Sequence, residues 1–229
     1  MNRQVPWLRV FVEGVVIVAS ILLAFGIEAW WGGQQQAEDR SELLSTMLES
    51  VQLNRASLED NIQRSEAAQA LTRRFLEMED PELAAVSTDT ARSLLNSLNQ
   101  PVTAQASRGP LSRLLDSGRL SLISEPSVIA SLDHWLVQIT ELEERAKNLA
   151  QVELMVLTAF GPHEAFRLRT TVEQESLPPT MDLRPIHDDE AVLSAAAVMI
   201  FEREVYMLFA RRTLETLERL EHLIGATLE

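Results

Sequence analysis

The segment at residues 10–31, VFVEGVVIVASILLAFGIEAWW, is the feature that most constrains this chain. As a helix it would be about 33 Å long, which is enough to cross a hydrocarbon layer of about 30 Å. Glu13 and Glu28 are its only charged residues, and the 14 residues between them are uncharged. A run of that length also suits the apolar core of a signal peptide or a buried helix. The segment predicts a membrane-spanning helix, with those two alternatives open.

Tryptophans lie at both ends of this segment. Trp7 precedes it and Trp30 and Trp31 end it, as in the aromatic belts at the two surfaces of a membrane. Ala24-Phe25-Gly26 has the small-x-small pattern that a signal peptidase would need. The helical pattern continues after residue 33 without a loop typical of a cleavage site, which favours a retained anchor.

The charges beside the segment predict its orientation. Arg3 and Arg9 precede it, and Arg40 follows it closely. Because basic residues near a span stay in the cytoplasm, we expect residues 1–9 to be cytoplasmic and residues 32–229 to lie outside the cytoplasm.

One face of the predicted anchor carries its polar and small residues. At 100° per residue, four positions fall within about 80° of one another: Glu13, Ser20, Ala24 and Glu28. Small residues four apart permit close helix contact, and carboxylates in membranes usually face protein. This face predicts packing against a helix of a partner protein or of a second copy. The alternative is that the two acids only mark the ends of a tilted span.

The rest of the chain is predicted to be all-α, an antiparallel helical bundle after the transmembrane helix. Apolar periodicity predicts long helices at about 34–78, 125–160 and 188–224, and short helices at about 87–98 and 110–117. No alternating strand pattern extends beyond a few residues. Residues 32–229 therefore form one predicted extracytoplasmic domain.

Local signals mark several helix boundaries. Ser87 or Thr88 suits an N-cap, Gly118 suits a left-handed stop after the helix at 110–117, and Gly225 is expected to end the last helix. The glycine pair at 32–33 can either bend the chain or be absorbed into one continuous helix, and the sequence leaves this open.

The last predicted helix contains an uncharged stretch, residues 191–201. Glu202-Arg203-Glu204 follows at once, so a second membrane crossing is not expected, and the stretch is interpreted as the buried centre of a bundle. Arg211 and Glu215 are placed to form an i,i+4 ion pair on the exposed side.

Composition excludes several functions. The chain has 34 acidic and 20 basic residues, a formal charge of −14, and no cysteine. Residues 1–31 sum to zero, so the whole negative charge belongs to the predicted bundle. Duplex nucleic acid is not an expected partner because phosphates require excess cations. Sites built on thiolates are excluded, and motifs for phosphate loops, serine hydrolases and zinc proteases are absent. We predict no enzyme activity, catalytic residue or cofactor.

Two histidines come nearest to a metal site. His163 and His187 lie at the ends of the irregular region, and Asp188-Asp189-Glu190 follows the second. Asp188 and Asp189 are better explained as N-terminal residues of the last helix. No metal site is predicted, and whether the two histidines meet is left open.

Three stretches carry a resemblance to a known family. They are Glu13 with Ser20, Ala24 and Trp30; Leu48-Glu49 with Asn54; and residues 114–123, LLDSGRLSLI. Together they resemble an uncharacterised bacterial family of single-pass membrane-anchored helical proteins, in which a glycine is usual at the position of Ser20. The resemblance implies a protein of the bacterial inner membrane with a periplasmic helical domain. It implies no reaction, cofactor or catalytic residue.

The functional expectation is an interaction, scaffold or accessory subunit of a membrane assembly, or a homo-oligomer. Its expected partners are the lipid bilayer and a protein that contacts the transmembrane helix. The alternative is an extracytoplasmic sensor or ligand-binding bundle that needs a separate signalling partner.

Overall fold

The computed structural model of the chain describes residues 7–98, 118–163 and 178–228. Helices make up 88% of this part, and the long ones pack together. The predicted all-α class is confirmed. The predicted short helix at 110–117 lies outside the described residues.

The first helix, α1, extends without interruption over Trp7–Glu77 and is about 107 Å long. The glycine pair at 32–33 is therefore absorbed into the helix, which settles the question that the sequence left open. Residues 11–38 are exposed, and the first fully buried side chain is Leu43. Thus α1 consists of an exposed apolar N-terminal part and a C-terminal part that belongs to the bundle.

The remaining elements follow in a simple order. They are α2 (Asp80–Leu83), β1 (Val86–Ser87), α3 (Thr88–Ser97), a 3₁₀ helix (Arg119–Leu122), α4 (Pro126–Phe160), β2 (Thr180–Met181), α5 (Arg184–His187) and α6 (Glu190–Leu228). The Ser87 side chain accepts a hydrogen bond from the Thr90 N–H, which confirms the predicted N-cap of α3.

Two of the glycine predictions can be compared with the structure, which confirms the left-handed backbone of one glycine and contradicts the helix end predicted at the other. Gly118 has a φ of 71°, in the left-handed region that only glycine adopts readily. Gly225 lies inside α6, which continues to Leu228, so the predicted end is wrong. A glycine costs a helix interior only about 1 kcal/mol, and the packed residues on both sides of Gly225 outweigh this.

The helix α6 packs along both α1 and α4 and is antiparallel to each. Three ion pairs between α1 and α6 keep one register: Arg73–Glu204, Glu66–Arg211 and Arg55–Glu221. Arg211 Nη2 lies 2.6 Å from Glu66 Oε1, so the predicted local pair with Glu215 is replaced by a pair between helices. On the α4 side, the guanidinium of Arg145 lies 4.9 Å from the centre of the Phe209 ring.

Short elements close the end of the bundle opposite the apolar part of α1. The strands β1 and β2 pair antiparallel, with Val86 opposite Met181. The Leu183 N–H donates to the Leu83 carbonyl at 2.9 Å, which joins the segment before α5 to α2. The core continues beneath them along the three long helices, where Trp135 of α4 and Phe75 of α1 are fully buried.

Candidate functional site

The apolar N-terminal part of α1 has no cover in the structure. Its most apolar 18-residue window has a mean hydropathy of 2.1 and none of it is buried. By length and composition, α1 is a candidate membrane span. The alternative of a buried core helix is wrong, because the core of the bundle lies entirely beyond this part of α1.

The predicted packing face lies within this exposed part. Because α1 is unbroken, helical geometry places Glu13, Ser20, Ala24 and Glu28 on one side of it. The Ser20 hydroxyl donates to the Val16 carbonyl at 2.8 Å, so its polar atom is satisfied within the helix. The face therefore presents small side chains between two carboxylates.

The predicted aromatic belt is also placed on α1. Trp7 is the residue at which the helix begins. Trp30 and Trp31 are 67% and 65% exposed, and their rings meet edge to face with centroids 6.4 Å apart. The core begins at Leu43, twelve positions or about 18 Å of helix after Trp31.

The two histidines have separate partners. His163 Nε2 lies 2.8 Å from Asp189 Oδ2, beside the N-terminus of α6. The His187 ring packs edge to face on Phe75, with centroids 5.5 Å apart. Among residues 7–98, 118–163 and 178–228, no group of three or more metal-ligating side chains could hold an ion.

Asp189 caps α6 as predicted. Its Oδ1 accepts a hydrogen bond from the Ala191 N–H at 2.8 Å, while its Oδ2 contacts His163. The hydrogen bond from His163, followed by the backbone hydrogen bonds, lowers the pKa of Asp189 below its ordinary value of 3.8. These contacts join the end of α4 to the start of α6.

A cleft of about 450 Å³ lies at this end of the bundle. Its lining residues are Pro162, His163, Pro178, Thr180, Met181, Asp182, Pro185 and Ile186. The titratable side chains in the lining are occupied by contacts within the chain. His163 contacts Asp189, and Asp182 accepts two hydrogen bonds from the Arg184 guanidinium, which lowers the pKa of Asp182. Among the described residues that line the cleft, no nucleophile is hydrogen-bonded to a base.

A second polar feature lies inside the bundle, at the junction of α1, α3 and α6. Arg203 is fully buried there. Its Nη2 donates to the Ser97 carbonyl at 3.0 Å and its Nη1 contacts Thr72 Oγ1 at 3.4 Å. The hydroxyls of Thr72 and Ser97 are themselves 3.2 Å apart. We call Thr72, Ser97, Arg203 and the neighbouring Tyr206 the buried polar layer.

Burial changes the titration of the two ionisable groups in this layer. It lowers the pKa of Arg203 from 12.5 to about 10, with an opposing contribution from the charge of Glu153. It raises the pKa of Tyr206 to about 12. Since Ser97 is the last residue of α3, the guanidinium lies at the negative end of that helix and satisfies one of its terminal carbonyls. The layer therefore connects three helices without presenting a reactive group to solvent.

Sequence reasoning missed the buried polar layer. Glu202-Arg203-Glu204 was interpreted only as a charged stretch that ends an apolar run. A signal existed in the helical period, because Arg203 is four residues from both Met199 and Met207, and all three are buried. An arginine on an apolar face is a residue that requires internal partners.

Comparison of the chain with protein-family models, with curated proteins and with solved structures found no match.

Proposed function

We propose that this chain is a single-pass membrane protein without enzymatic activity, and that its role is interaction. Residues 10–31 anchor it, and the acidic bundle outside the cytoplasm serves as a scaffold or accessory subunit of a membrane assembly or of a homo-oligomer. The observation that carries the proposal is the exposed apolar part of α1, which continues directly into the bundle.

The physical support is the free energy of exposing this surface to water. Thirteen large apolar side chains between residues 11 and 31 are at least half exposed. Leaving them in water would cost on the order of 10–20 kcal/mol, which is comparable to the whole stability of a typical domain. A bilayer removes that cost.

Charge supports the proposed orientation. Two basic residues, Arg3 and Arg9, precede the span and one, Arg40, follows it closely, and the bundle carries the entire formal charge of −14. The anionic lipid of a cytoplasmic leaflet would repel this bundle. On the opposite side of the membrane that repulsion is weaker, and the anchor holds the bundle near the surface.

The described polar groups favour interaction over catalysis. His163, Asp182 and Arg203 all make contacts within the chain, and these contacts join helices or fix loops. The exposed features of the described chain are instead apolar or charged surfaces, and protein interfaces form from surfaces of these kinds.

The test is extraction of the full chain from native membranes in mild detergent, followed by mass measurement and identification of co-purifying proteins. We expect wild type to elute as an assembly and the Glu13→Leu/Glu28→Leu variant to lose partners. A Val15→Leu/Leu22→Ile variant changes the opposite side of α1 and is the matched control. A lone monomer for both wild type and Glu13→Leu/Glu28→Leu would contradict the proposal, as would recovery of the chain in the soluble fraction.

The cleft beside His163 favours a second candidate, an extracytoplasmic sensor that acts through a separate signalling partner. Its volume of about 450 Å³ is within the range of small-molecule sites. The test is a rise in Tm on addition of fractionated small metabolites. The rise should disappear in Thr180→Trp, which fills the cleft, and persist in Thr140→Trp, which substitutes an exposed residue of α4.

A further inference from the structure

Three polar atoms at the buried polar layer have no hydrogen-bond partner among the residues that the structure describes. They are Arg203 Nε, the Tyr206 hydroxyl oxygen and Gln69 Oε1. Gln69 is 7% exposed, and the other two side chains are fully buried. Buried polar atoms in folded proteins are almost always hydrogen-bonded, either to protein groups or to enclosed water. Three such atoms in one part of the core therefore indicate a bound group that completes their hydrogen bonds.

The three side chains lie at the same level of the bundle. Two ion pairs between α1 and α6, Arg73–Glu204 and Glu66–Arg211, mark the ends of a stretch in which the two helices run side by side. This stretch corresponds to about 11 Å of each helix. Each of the three side chains lies inside it or one residue beyond its end. The three unpartnered atoms thus belong to neighbouring turns of α1 and α6.

The two hydroxyls of the buried polar layer do not supply the missing donor. The Thr72 hydroxyl donates to the Ala68 carbonyl at 2.9 Å, and the Ser97 hydroxyl donates to the Leu94 carbonyl at 2.6 Å. A hydroxyl has only one proton, so toward the rest of the layer both oxygens act as acceptors. Neither hydroxyl has a proton left for the unpartnered amide oxygen on α1.

The guanidinium of Arg203 has more donors than the layer uses. A guanidinium carries five N–H groups in one plane. One N–H at Nη2 donates to the Ser97 carbonyl and one at Nη1 donates to the Thr72 hydroxyl, while Nε has no acceptor in the described part of the chain. A buried charged donor without an acceptor is costly. The layer therefore combines an unused donor at Arg203 with an unused acceptor at Gln69.

Water is the ligand whose chemistry matches all three atoms. It can accept from Arg203 Nε–H and donate to Gln69 Oε1, and the Tyr206 hydroxyl can donate to it or accept from it. Buried waters typically make about three hydrogen bonds to groups that otherwise lack partners. An anion would leave Gln69 Oε1 facing a second acceptor, and the guanidinium would repel a metal ion. The mixture of donor and acceptor favours water over either ion.

We propose that the buried polar layer encloses an ordered water molecule, bound by Arg203 Nε, the Tyr206 hydroxyl and Gln69 Oε1. This water is part of the folded core and has no contact with bulk solvent. It completes the polar contacts between α1 and α6 at the level where α3 ends. The inference goes beyond the proposed function, because it depends only on contacts within the bundle and not on the membrane or on a partner.

The first test is the sign of the stability change in Tyr206→Phe, measured by urea unfolding of the full chain in detergent. In a dry core this substitution removes an unpartnered hydroxyl, so the equilibrium constant for unfolding should fall. With an enclosed water it removes one of the hydrogen bonds of that water. We then expect the equilibrium constant for unfolding to rise roughly threefold to tenfold. A constant equal to or below that of wild type would overturn the proposal.

Thr213→Val is the matched control for the loss of a buried hydroxyl. Thr213 is fully buried on α6, and its hydroxyl donates to the Phe209 carbonyl of the same helix at 2.9 Å. This hydroxyl therefore has a partner without an enclosed water. The rise in the unfolding constant should be larger for Tyr206→Phe than for Thr213→Val, and the reverse order would count against the water.

The second test detects the water directly and needs no substitution. In the nitrogen-15-labelled full chain in detergent, we expect a nuclear Overhauser effect between Arg203 Hε and water, with the sign of a long-lived contact. The exposed Arg211 should show only rapid exchange with bulk solvent. An Arg203 Hε signal that is observed without this effect would overturn the proposal. A shift of that signal with chloride concentration at constant ionic strength would also overturn it, because the bound group would then be an anion.

Discussion

Arg203 Nη2 donates to the backbone carbonyl of Ser97 at 3.0 Å, which places a fully buried guanidinium at the C-terminus of α3. The guanidinium has two hydrogen-bond acceptors, the Ser97 carbonyl and the Thr72 hydroxyl, and both are neutral. Oriented dipoles and the charge of Glu153 favour the protonated guanidinium, while burial opposes its charge. The balance between these effects can be measured.

Replacement of Arg203 should reveal that balance. The lowered pKa corresponds to a burial cost of about 3 kcal/mol, which Arg203→Met removes. The substitution leaves the Ser97 carbonyl without its donor, at about 1–3 kcal/mol. We expect the free energy of unfolding of Arg203→Met to stay within about 1.5 kcal/mol of wild type. Arg203→Ala should lose at least about 2 kcal/mol more, because it leaves a cavity. Urea unfolding of the detergent-solubilised chain measures both, and equal losses would show that the polar contacts dominate.

Tyr206 allows an optical test, because it is the only tyrosine in the chain. Burial raises its pKa to about 12 from 10.0, so the folded state binds this proton more tightly than the unfolded state. The contribution to stability is complete below pH 10 and is lost between pH 10 and 12, about 3 kcal/mol in all. Tyrosinate absorbance of the native chain should have its midpoint near pH 12, and near pH 10 in denaturant. A native midpoint near pH 10 would show that Tyr206 is accessible to water.

The contact of His163 with Asp189 predicts that the stability of the chain depends on pH in the acid range. The lowered pKa of Asp189 means that the folded state favours the carboxylate, so its contribution is present above pH 3.8 and disappears as the pH falls through the lowered value. Asp189→Asn should therefore lower the Tm at neutral pH and match wild type at the acid end. Asp133→Asn on α4 is the control. A Tm difference independent of pH would contradict this assignment.

Two glycines should respond oppositely to alanine. Gly118 has a φ of 71°, so Gly118→Ala should lower the free energy of unfolding by about 1–2 kcal/mol. Gly225 lies inside α6 with open space around an added Cβ, so Gly225→Ala should raise stability by about 0.5–1 kcal/mol. Chemical denaturation compares the two. A loss of stability in Gly225→Ala would mean that its position in α6 is constrained by something other than helix propensity.

Features that depend on nearby residues could be predicted from the sequence. The caps at Ser87 and Asp189 and the left-handed Gly118 follow from backbone chemistry over three or four residues. The extents of α3 and α4 were predicted to within one residue at each end, because their start signals and apolar periods agree. The exposed apolar part of α1 was recognised by composition alone.

Features that depend on the packing of helices could not be predicted in the same way. The sequence predicts an ion pair of Arg211 with Glu215 because the i,i+4 rule considers residues of one helix only. The partner in the structure, Glu66, is 145 residues away in the chain. The end of α6 was misplaced at Gly225 because a helix stop is a weak preference that packing overrides. The sequence leaves the continuity of α1 through residues 32–33 open for the same reason. The helix-propensity cost of two glycines is small compared with the stabilisation from the packed turns that follow.

Because α1 is unbroken, it also fixes the rotation of the bundle relative to the anchor about the helix axis. With no hinge between the anchor and the bundle, the side of the anchor that carries Ser20 and the side of the bundle that carries Phe201 keep a constant angle about the helix axis. Each residue added between positions 32 and 38 turns one relative to the other by about 100°. An insertion of seven residues nearly restores the original angle, while two residues reverse it. The number of residues between the anchor and the bundle therefore determines which side of the bundle lies above a given side of the anchor.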